Sequence, residues 1–77
     1  MRYVVKITFT SISGTYVFSR TVGINANSRQ KAAEVARGVG IILDRGTGRS
    51  EHEFLPSRED GITLEEAIIW ALTGGQE

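Results

Sequence analysis

Two runs of apolar–polar alternation on either side of Ser13-Gly14 leave this chain little choice about how it begins. Residues 3–9 place Tyr3, Val5, Ile7 and Phe9 on one strand face, with Val4, Lys6 and Thr8 on the other. Residues 15–24 repeat the pattern with Tyr16, Phe18, Val22 and Ile24, interrupted by Arg20. Gly14 accepts a positive φ without a Cβ clash, so the reversal belongs there. Centring a hairpin on that turn pairs Phe9 with Phe18, Val5 with Val22 and Tyr3 with Ile24. A one-residue slip would set apolar against polar along the whole ladder, so the register is specified. Arg20 then lies opposite Ile7, where its long stem can snorkel to the sheet edge.

Downstream the period changes from two to 3.6. Asn25–Ser28 ends in helix-capping residues, and Ala32, Val35, Ala36, Val39, Ile42 and Leu43 share one helical stripe. Gly38 and Gly40 oppose a continuous helix, each costing about 1 kcal/mol against alanine, and Ile41 points outward. A helix stopping at Gly38 would instead leave Val39–Asp44 as a strand that turns at Arg45–Gly48 and pairs with Arg49–Leu55. The stripe persists past both glycines, which favours the long helix. Ser50–Leu55 reads as a short strand stopped by Pro56. Thr63-Leu64-Glu65-Glu66 is a capping box, opening a helix that Gly74-Gly75 ends. The expected architecture is one α+β domain over residues 1–77, in the order ββαβα, with ββαββα as the alternative.

At 77 residues the chain sits near the lower limit for one self-sufficient core, and it contains no cysteine to staple it. Association with a copy or a partner would add stability. No segment approaches the roughly 20 apolar residues that span a bilayer, and the N-terminus lacks a secretory apolar region. A cytoplasmic domain that does not enter membranes is expected, with no cofactor.

The charges divide along the chain. Residues 1–49 carry eight basic and two acidic side chains, a net of +6, whereas residues 50–77 carry one basic and seven acidic, a net of −6. Such asymmetry speaks about partners. Arg29, Lys31, Arg37 and Arg45 project from the first helix over a broad arc and could meet nucleic acid, although no aromatic residues interleave with them for stacking. Glu51, Glu53, Glu59 and Asp60 could present phosphate-like negative charge to a protein groove. The last helix is apolar nearly all round. Leu64, Ala67, Ile68 and Ala71 form its core stripe, and Ile69 and Trp70 fall off it. Ile68, Ile69, Trp70 and Leu72 are therefore an expected contact surface, anchored by Trp70 and joining two copies. His52, the only histidine, has neighbouring carboxylates that point to the opposite strand face, so neither a metal site nor a triad is indicated.

Gly61-Ile62-Thr63-Leu64-Glu65-Glu66-Ala67 resembles the segment that opens a helix in HicB-type antitoxins, whose chains also begin with a hairpin. In format, with its hairpin and helix over Met1–Asp44, charge split and apolar final helix, the chain is similar to small phage-encoded anti-CRISPR proteins. That resemblance implies a non-enzymatic inhibitor, acting as a homodimer that occludes the nucleic-acid path of a host complex. The alternative is a nucleic-acid-binding or antitoxin-like regulator that uses the first-helix arginines.

Overall fold

The computed structural model describes residues 1–56 and 61–74. The hairpin forms with the register that the side-chain pattern requires. Strands β1 (Arg2–Ser11) and β2 (Val17–Asn25) pair antiparallel, with Phe9 opposite Phe18, Val5 opposite Val22, Tyr3 opposite Ile24 and Arg20 opposite Ile7. Gly14 takes φ 75°, and the Ser11 N–H closes the turn on the Tyr16 carbonyl at 2.8 Å. Helix α1 (Arg29–Asp44) follows, then β3 (Gly48–Phe54) and helix α2 (Leu64–Leu72). This is the α+β order ββαβα. The strand order is β2-β1-β3, with β3 antiparallel to β1.

Residues 39–44 are helical, so the reading with a fourth strand there does not hold. The helix passes both glycines for different reasons. Gly38 faces open space, whereas a Cβ on Gly40 would collide with the Ser50 hydroxyl. Gly40 is thus the point at which α1 settles onto β3. The Ser28 hydroxyl caps the helix by accepting from the Lys31 N–H at 3.2 Å. At the other end Arg45 and Gly46 adopt φ 38° and 78°, and the Thr47 N–H and hydroxyl both donate to the Asp44 carbonyl. That double turn reverses the chain into β3.

Both helices lie on the face of the sheet that carries Val5, Ile7, Phe9, Val22 and Ile24. Helix α1 packs over β3 and β1, and α2 packs beside it over β2. Ala32, Ala36, Val39 and Leu43 from α1, and Ala67, Trp70 and Ala71 from α2, complete the buried core. Fully burying one valine, leucine, isoleucine or phenylalanine stabilises by roughly 1.5–3 kcal/mol, and Val5, Ile7, Phe9, Val22, Ile24, Val39 and Leu43 contribute on that scale. The opposite face of the sheet carries Lys6, Thr8 and Thr10 on its central strand, beside Glu53, Glu51 and Arg49 on β3. A further segment touches the far side of β2. Ile62 pairs parallel to Val22, donating to the Thr21 carbonyl and accepting from the Gly23 N–H, both at 2.9 Å.

Helix α2 begins in the expected capping box. The Glu66 N–H donates to the Thr63 hydroxyl at 3.2 Å, and the Thr63 N–H donates to the Glu66 carboxylate at 3.3 Å. Its buried side differs from the expectation. Trp70 is only 6% exposed and meets the Phe18 ring edge-on at 5.5 Å, while Leu64 and Ile68 are half-buried. The core stripe is rotated toward Trp70, because Ala67 and Ala71 let the helix approach closely and Phe18 offers the large indole a flat partner.

Candidate binding surfaces

Removing Trp70 from the surface leaves a narrower exposed line along α2. Ile69 is 61% exposed and Leu72 51%, and Glu65 precedes Ile69 by one turn. Residues four and three apart share one helix face, so Glu65, Ile69 and Leu72 form an acidic-to-apolar row. The first turn adds Glu66, and no basic residue lies in the last turn. Of the expected surface, Ile69 and Leu72 are presented, Ile68 is half-buried and Trp70 is a core residue. Trp70 cannot anchor a contact between copies from that position.

The α1 cations do not converge. The Arg29 guanidinium lies 4.2 Å from the centre of the Phe54 ring, a cation–π contact. Lys31 Nζ sits 3.5 Å from the Glu34 carboxylate, with both side chains exposed. Arg45 occupies the left-handed cap of the helix. Arg37 lines a groove beside β3. Glu51 and Glu53 do share a strand face, as expected, opposite Thr8 and Lys6 of β1. Glu59 and Asp60 lie outside the described residues.

Among the described residues, the charge split along the chain is not a split in space. Antiparallel pairing of β3 with β1 places Glu53 opposite Lys6, and Glu51 follows Arg49 by two residues on the same face. At the start of α2, Glu65 lines a surface hollow together with Arg2. Opposite charges are therefore interleaved among the described residues. A strand order of β2-β1-β3 inserts the acidic segment beside the basic one.

Between α1 and the outer edge of β3 runs a groove of about 460 Å³. Its floor is Ile7 and Ala36, and its walls carry Arg37, Ile41, Asp44, Ser50, Glu51 and His52. Ile41 is 65% exposed there. His52 is exposed on the same face and stands edge-on to the Phe54 ring at 6.2 Å. Asp44 Oδ1 is buried and accepts no hydrogen bond. Sequence reasoning passed over this groove, since it depends on which strand lies at the edge. Gly40 was the available signal, because a glycine inside a stable helix often marks a close approach.

Among the described residues, no helix is long and apolar enough to cross a membrane, and no group of three histidine or acidic side chains could hold a metal ion. Comparison with known proteins adds no relative: no family model matches the chain, and no curated protein or solved structure matches it either.

Proposed function

We propose that this chain is a small non-enzymatic binding protein that inhibits a nucleic-acid-handling complex by covering part of its nucleic-acid path. The observation that supports this reading is the outward row of α2, where Glu65 leads into the exposed Ile69 and Leu72. Exposed aliphatic side chains three residues apart on a helix suit the helix-in-groove mode of recognition. Carboxylates at the head of the row suit a partner that is apolar at the centre and basic at its rim. A nucleic-acid path has such a basic rim. The helix is already formed and capped in the free chain, so docking need not order it.

Affinity capture from the source cell tests the proposal with wild type and an Ile69→Glu/Leu72→Glu variant of unchanged circular dichroism. Support is a nucleic-acid-handling protein retained by wild type and lost with the variant, whose nucleic-acid binding the wild-type chain reduces. Retention by both chains, or by neither, overturns it.

A further inference from the structure

We infer that β3 pairs with β3 of a second copy, antiparallel and centred on Ser50, so that two chains share one six-stranded sheet. β3 is an edge strand whose only strand partner among the described residues is β1. The Leu55 N–H donates to the Val4 carbonyl at 2.9 Å. By alternation Gly48, Ser50 and His52 turn their N–H and C=O groups to the side away from β1. The strand contains no proline or lysine, two devices by which edges are normally blunted.

A two-fold perpendicular to the sheet keeps each face with its own kind, so only centres on Ser50, Glu51 or His52 give good overlap. Charge decides among them. Centring on His52 sets Glu51 against Glu53 twice, and centring on Glu51 sets Arg49 against Glu53 twice but also that carboxylate against itself. Centring on Ser50 sets Arg49 against Glu51 twice, with Gly48 opposite His52 and Ser50 opposite its own copy. Opposite charges across a strand pair stabilise and like charges do the reverse.

The helix layer agrees with this register. Helix α1 lies over β3 and β1, and strands are about 4.8 Å apart. The two copies of α1 would therefore run antiparallel at about 10 Å, a normal helix-packing distance. Gly40 lies on Ser50, the pivot residue. Ile41, its neighbour in the groove, then meets its own copy across the axis and loses its exposure. Arg37 lies one turn before Ile41 and Asp44 one turn after, both lining the groove. The two-fold brings the Arg37 of one chain toward the Asp44 of the other, so that opposite charges from the groove face each other across the axis.

Sedimentation equilibrium at micromolar concentration reads the result. Wild type is expected to be dimeric, and Ile41→Asp monomeric with its circular dichroism intact. Arg49→Glu and Glu51→Arg should each weaken association about tenfold. The double swap Arg49→Glu/Glu51→Arg should restore it, because only in the Ser50 register do positions 49 and 51 face each other, so that each single swap sets like charges together and the double swap returns opposite ones. A monomeric wild type, an Ile41→Asp dimer of wild-type affinity, or a double swap no tighter than the single variants overturns the inference. None of these variants touches the α2 row, so this outcome is independent of capture through Ile69 and Leu72.

Discussion

Replacing Trp70 with alanine separates an indole inside the core from one on the surface. Trp70 is 6% exposed, wedged between the helix layer and the Phe18 ring at 5.5 Å. Truncating a buried tryptophan costs about 3–5 kcal/mol through lost transfer free energy and the cavity that remains. The edge-on aromatic contact with Phe18 accounts for about 0.5–1.5 kcal/mol of such an effect. A domain of 77 residues has a total stability of only about 4–12 kcal/mol. Trp70→Ala should therefore remove a large fraction of it and lower Tm by about 15–30 °C. Because this is the only tryptophan, far-UV circular dichroism in urea, at one fixed protein concentration, is the proper probe. The control is Ile69→Ala, one position along the same helix, which should stay within about 0.5 kcal/mol of wild type. A loss below about 1 kcal/mol for Trp70→Ala with an unchanged m-value, or equal losses for the two variants, would refute the packing described here.

Three further substitutions probe the backbone. Gly38→Ala should stabilise by about 0.5–1 kcal/mol, since the position is helical, exposed and faces open space; chemical denaturation measures it. Gly48→Ala should destabilise by more than about 1 kcal/mol, because the added methyl would strike the Thr10 carbonyl oxygen and the Phe9 ring; the loss should appear in Tm. Thr63→Ala should cost about 1 kcal/mol by opening the capping box, with faster hydrogen exchange confined to the first turn of α2.

The hairpin was legible in the sequence because both strands carry a period of two and Gly14 marks where they meet. Those constraints leave one register, and Phe9–Phe18, Val5–Val22 and Tyr3–Ile24 are the pairs observed. The long first helix was legible for a similar reason, its stripe outlasting two glycines. What was not legible is tertiary. Helix α2 is so apolar that its stripe could be drawn through Ile68 or through Trp70, and only the position of Phe18 decides. The opposed charge blocks suggested two electrically distinct ends, but whether β3 joins the sheet beside β1 or beside β2 is not written in a charge count. The same uncertainty hid the groove, whose walls come from residues as far apart as Ile7, Ile41 and His52.

The bridge at Ile62 has a bearing on solubility. By occupying the Thr21 carbonyl and the Gly23 N–H, it breaks up the run of unsatisfied groups along the outer side of β2. A sheet with two equally accessible margins can add copies without limit and grow into a filament. Here one margin is spoiled at mid-length by a few residues of the chain's own backbone, so any growth by strand addition has a built-in stop.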